Sequence, residues 1–97
     1  MGGELFLMGL GGCYMSNLLA AIRARESVIK DVSLEVRATV EGTPARFRSF
    51  LLLVSAPGAD RAELEKLALI ADRGCIVANS VRDHIPIAVR VNIGEVR

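Results

Sequence analysis

Tryptophan is absent from this 97-residue sequence, and one tyrosine and three phenylalanines are its only aromatic residues. Few flat platforms on which bases could stack, and a net charge of only +1 from twelve basic and eleven acidic residues, argue against a nucleic-acid partner. Histidine occurs once, at His84, and cysteine twice, at Cys13 and Cys75. Three such ligands fall short of a four-ligand zinc site, so neither a metal nor any other cofactor is expected. The glycines of Gly9-Leu10-Gly11-Gly12 follow no strand, complete no G-x-G-x-x-G pattern and precede no Lys-Ser/Thr pair, which excludes a nucleotide cradle. No basic region stands before the apolar run at 5–22; Glu4 is there instead, against a secretory signal. The run is about long enough to cross a bilayer, but Ser16, Asn17 and three glycines dilute it, so a buried helix is expected and a membrane partner is not. A cytoplasmic, reducing compartment follows as the expectation, in which two cysteines are reactive or inert rather than a permanent staple.

What the chain has in quantity is apolar surface. Hydrophobic residues make up 52%, and a mean hydropathy of +0.40 is high for a small soluble monomer. The length suits one domain over residues 1–97, and the surplus apolar surface points to an oligomer. Residues 4–26 contain no proline and no alternation, and predict one long helix whose apolar residues cover nearly every face of its first turns. Each interior glycine costs about 0.5 to 1 kcal/mol relative to alanine. Gly9, Gly11 and Gly12 therefore call for a reason, either close contact with another helix or room for a substrate beside Cys13. Alternation over 32–41 and apolar character on both faces over 46–55 predict two strands joined at Glu41-Gly42-Thr43-Pro44 as a hairpin. Asp60 followed by Glu63 reads as an N-cap with a capping-box acid, opening a helix over 61–73. Gly74 is placed to stop that helix through a positive φ, Cys75 to open a short helix over 75–83, and 87–93 to form a last strand. The expected fold is α+β: a long central helix on an antiparallel sheet, in the order helix, strand, strand, helix, helix, strand. Three strands cannot cover a helix apolar nearly all round, so a homodimer is expected.

Chemistry is concentrated in the two thiols. A thiol reacts as thiolate, and its pKa falls at a helix N-terminus or near a cation. Cys75, following Arg73 and Gly74 at the start of a predicted helix, has that setting, whereas Cys13 lies mid-helix and needs activation from outside its own helix. If folding joins them, one thiolate can attack the O–O bond of a peroxide and the other can condense with the resulting sulfenic acid. Two small core hydrophobes are the plain alternative. Ser16, Asn17, Asn79 and Ser80 are polar residues on otherwise apolar helices near the thiols, either packed with satisfied hydrogen bonds or lining a pocket.

Glu4-Leu5-Phe6, Gly9, Gly12-Cys13, and Asp72-Arg73-Gly74-Cys75-Ile76-Val77-Ala78-Asn79-Ser80 about sixty residues later resemble the OsmC/Ohr family of osmotically inducible and organic hydroperoxide resistance proteins. The order of elements matches as well, so the resemblance covers nearly the whole chain. It implies an intertwined homodimer with long central helices between sheets. It also implies a peroxidase acting on organic hydroperoxides and recharged by a dithiol, in which Cys13 attacks and Cys75 resolves. Members of the family usually carry a β-rich segment before this helix, with an arginine beside the reactive thiolate, so the sequence corresponds to the C-terminal portion of the family fold. The glutamate that holds that arginine falls at Gly3 when counted back from Cys13, and Glu4, one step away, is its candidate here; Arg73 or Arg82 could supply a cation. The competing expectation is a non-catalytic dimeric module that binds an apolar ligand or a protein partner.

Overall fold

A computed structural model of the chain describes residues 2–94. Six elements follow one another as α1 (Gly2–Ala24), β1 (Ser33–Glu41), β2 (Arg46–Ser55), α2 (Arg61–Gly74), α3 (Ile76–Val81) and β3 (Ile87–Asn92). The predicted α+β order is the observed one, with boundaries displaced by a few residues. β1 and β2 pair antiparallel across the hairpin, where Gly42 takes a φ of +96° that suits glycine. β3 pairs with β2 in parallel, so the sheet is mixed, in the order β1-β2-β3, rather than antiparallel throughout. The reason is the connection: α2 and α3 carry the chain back to the end at which β2 began, and such a crossover delivers a parallel strand.

β2 is the central strand, which explains its apolar character on both faces. Phe50, Leu52 and Val54 are buried beneath the helices, while Leu51 and Leu53 are half-buried on the opposite face. Phe6, Phe47 and Phe50 form one aromatic cluster, with ring centroids 5.0 to 5.6 Å apart, that seats the first turns of α1 on the sheet. Leu10, Tyr14, Leu18 and Ala21 continue that contact as a single stripe four and three residues apart. On α2 the matching stripe is Leu64, Leu67, Ala68 and Ala71. The Tyr14 hydroxyl, inside this core, donates to the Ala68 carbonyl oxygen at 2.8 Å.

Three local expectations are altered. First, α1 buries one stripe within the chain and not every face, leaving Leu5, Met8 and Leu19 exposed along its other side. The helix is long and apolar enough to cross a membrane by length and composition, but its stripe of core contacts is that of a helix seated on a sheet. Second, the capping box at α2 is half formed: Asp60 accepts from the Glu63 N–H at 2.9 Å, while the Glu63 carboxylate is taken by the Ser27 hydroxyl at 2.7 Å. Third, α2 does stop after Gly74, but without a positive φ there. The break comes from Cys75, whose backbone is extended (φ −79°, ψ 108°) and which serves as both the C-cap of α2 and the N-cap of α3.

Candidate functional site

The short junction between α2 and α3 presses against the middle of α1, and it brings Cys13 and Cys75 together. Both are free thiols; Cys75 is buried and Cys13 half-buried. The two side chains are close enough that each shifts the other's titration. Because Cys75 interrupts two helices with an extended residue, the first N–H groups of α3 have no intrahelical partner and are left to act on the thiols. The Val77 N–H is the main group holding the Cys13 thiol below the ordinary thiol range; partial burial opposes it, and the Cys75 side chain and the Ile76 N–H reinforce it. Cys75 moves the other way. Burial pushes its pKa up, with a hydrogen bond to Cys13 and the charge of a Cys13 thiolate adding to the rise, against the Ala78 and Val77 N–H groups. The activation that Cys13 requires from outside its own helix is thus present, and the favourable setting attributed to Cys75 from its neighbours is outweighed by its burial.

Asn17, one turn after Cys13, faces the same space. Its amide nitrogen donates to the Cys13 carbonyl at 3.1 Å and lies 3.8 Å from the Cys13 sulfur. A Cβ built on Gly74 would stand 3.6 Å from the Asn17 amide oxygen, so the end of α2 closes over this side chain. Asn17→Ala, which removes the amide 3.8 Å from the sulfur, should raise the pH midpoint of Cys13 alkylation and slow the reaction at neutral pH roughly threefold. An unchanged alkylation profile would remove Asn17 from the thiol's environment.

Glu4 is exposed in the first turn of α1 and lines an open cavity with Leu7, Arg46, Phe47, Arg48 and His84. Nine residues of helix separate it from Cys13, about 13 Å along the axis and half a turn around it, so the chain does not bring its carboxylate to the thiols. Arg82 does not reach Cys13 either; its guanidinium is bound to Asp72 at 3.1 Å. Of the three glycines, Gly11 is a packing position, but against a strand: an added Cβ would meet Val36 of β1 at 3.0 Å. At Gly9 and Gly12 an added Cβ would meet nothing within 4 Å. Among the described residues no group of three or more His, Cys, Asp or Glu side chains could hold a metal ion.

The family model described as OsmC-like protein matches residues 2–90. Among solved structures, an organic hydroperoxide resistance protein OsmC from Legionella pneumophila superposes with a TM-score of 0.81 at 23% identity, over 93% of this chain and 67% of that one. The organic hydroperoxide resistance protein OhrB of Bacillus subtilis gives 0.78 at 17%, over 91% and 67%. A Vibrio cholerae protein, described as a putative organic hydroperoxide resistance protein with captopril bound in one of its active sites, gives 0.79 at 21%, over 92% and 62%. These likenesses establish a shared fold, and the chain spans about two thirds of the length of each of the three. No curated protein matched the sequence.

Proposed function

The chain belongs to the OsmC-like protein family, and from that membership and the juxtaposed thiols we propose that it is a thiol-dependent redox protein that reduces organic hydroperoxides through Cys13 and Cys75. The observation that carries this reading is the opposed pair of environments: a half-exposed Cys13 favoured as thiolate beside a buried Cys75 held as thiol. In the proposed cycle the Cys13 thiolate attacks the outer oxygen of ROOH; the O–O bond breaks, RO⁻ leaves and takes a proton to become ROH, and Cys13 becomes sulfenic acid. The charge of the Cys13 thiolate, one cause of the raised Cys75 pKa, is then gone. Cys75 loses its proton more readily, attacks the Cys13 sulfur and displaces the oxygen as water, forming a disulfide. An external dithiol reduces that bond by exchange and returns both thiols.

Apolar side chains around the site favour organic over inorganic peroxide. Ile76, next to Cys75, is 75% exposed, and Val77 and Leu10 lie close by in the chain and the core. The exposed stripe of α1, with Leu5, Met8 and Leu19 on either side of the open Gly12, supports a second copy of the chain as the partner. A cytoplasmic location accords with a cycle that depends on a dithiol.

The test is stoichiometric. One equivalent of cumene hydroperoxide should consume both thiols and yield a peptide pair linked Cys13–Cys75 by mass spectrometry, reversed by dithiothreitol. Two thiols that stay alkylatable after peroxide treatment of the folded protein would instead support the non-catalytic module.

A further inference from the structure

A polar cluster on the far side of the α2–α3 junction is not used by the chemistry above. Arg82 caps the end of α3, and its Nη2 donates to the Asp72 carbonyl oxygen at 3.2 Å, to Asp72 Oδ1 at 3.1 Å and to Asn79 Oδ1 at 3.0 Å, while Nη1 donates to Asp72 Oδ2 at 3.3 Å. Asn79, on α3, donates from its own amide nitrogen to the Arg73 carbonyl at 2.9 Å. Asp72 and Arg73 belong to the last turn of α2, where carbonyls are short of intrahelical partners; these contacts supply the Arg73 carbonyl and add to the Cys75 N–H already on that of Asp72. All but the Arg82–Asn79 bond therefore run from the end of α2 to α3 or its cap, and together they bracket Gly74 and Cys75. The guanidinium suits the task because its planar fork can serve a carboxylate and a carbonyl at once; an ammonium could not hold both in a fixed plane.

We propose that Arg82, acting through Asp72 and Asn79, is the positioning residue of the thiol pair: it braces α3 against α2 and so fixes the Val77 and Ile76 amides and the Cys75 sulfur relative to Cys13. The only residue between the two helices is the extended Cys75, and it follows Gly74, the last residue of α2, where glycine resists pivoting least of any residue. α3 has six residues and one fully buried side chain, Ala78, so its own packing does little to hold its direction. Hydrogen bonds weaken steeply with distance and angle, and a slight rotation of α3 would remove its amides from the Cys13 sulfur. Arg82 touches neither sulfur, so it is not catalytic. The ionisable groups about the pair are few: Cys75 faces Cys13 across the junction, and Tyr14 lies in the field of both Cys75 and Asp72.

This inference gives the thiol redox reading a further residue and rests on it, but its test needs no peroxide. Iodoacetamide alkylation of Cys13 is followed against pH by peptide mass spectrometry in wild type, Arg82→Gln, Arg82→Lys and Asp72→Asn, with a thermal melt of each. Positioning predicts a higher midpoint in all three, with alkylation at neutral pH about three- to tenfold slower. Asp72→Asn is the discriminating variant, because removing a negative charge by itself lowers a neighbouring thiol pKa, and only loss of the brace raises it. Arg82→Lys, which keeps the charge and loses the fork, carries the test if the other variants fail to fold. A lower midpoint in Asp72→Asn, or an unchanged one in folded Arg82→Lys, would overturn the proposal. A failed peroxide titration with the predicted alkylation shifts would overturn only the peroxidase reading.

Discussion

Cys13→Ser is expected to lose organic hydroperoxide turnover completely, down to the rate of the dithiol alone, while Cys75→Ser keeps a single round and then stops. The asymmetry follows from the two environments. A serine hydroxyl at position 13 would face the same Val77 and Ile76 amides as the thiol, but it does not ionise near neutral pH and cannot serve as the nucleophile. Its fold should be little changed, since Cys13 is only half-buried and the substitution nearly conserves volume. Cys75→Ser leaves Cys13 able to attack, so the protein should consume one equivalent of peroxide and retain a sulfenic acid at Cys13, trappable by dimedone and prone to further oxidation. Cumene hydroperoxide consumption with dithiothreitol, read beside dimedone labelling, separates the two. Equal turnover in wild type and Cys13→Ser would end the assignment of the attacking thiol, and turnover lost in Cys13→Ser but labelling confined to Cys75 would reverse the roles.

Met8→Asp is expected to dissociate the proposed dimer into monomers, weakening association a hundredfold or more. Met8 is 69% exposed in the single chain, so an aspartate there costs the isolated fold little. It stands one turn from Leu5 and from Gly12 on the side of α1 opposite Leu10, Tyr14 and Leu18, and Leu19 lies on the same outer stripe. A two-fold interface built on that stripe carries each substitution twice, and an unpaired buried carboxylate costs several kcal/mol, against about 1.4 kcal/mol per tenfold in affinity. Light scattering at micromolar concentration should report a dimer for wild type and a monomer for the variant. A wild-type monomer would remove the second copy from the proposal, and a dimeric Met8→Asp would move the interface off this stripe.

The fold was largely readable from the chain because its signals are local. Period-two alternation marks β1, a β2 apolar on both faces marks a central strand, and Asp60 starts α2 through a bond three residues long. What misled was equally local. Gly74 looked like the stop of α2 by positive φ, whereas the extended Cys75 ends one helix and begins the next. Glu63 looked like the return half of a capping box, whereas Ser27, thirty-six residues away, holds its carboxylate. Arg82 looked like a cation available to Cys13, whereas Asp72 holds it. At Glu63 and Arg82 the partner chosen by folding, and not the one suggested by the chain, holds the side chain.

By itself the sequence determined the order of elements and the surplus of apolar surface on the first helix, and it singled out the two thiols as the candidate site. These depend on residue type and spacing along the chain, and both are read directly. Only the tertiary structure decided which thiol is favoured as thiolate. Local sequence gave that advantage to Cys75, at the start of a helix; folding buries Cys75 and turns the amides of its helix toward Cys13, sixty-two residues earlier. A thiol's pKa is set by the solvent and dipoles within a few ångströms of the sulfur, and those are properties of the packed junction of α1, α2 and α3.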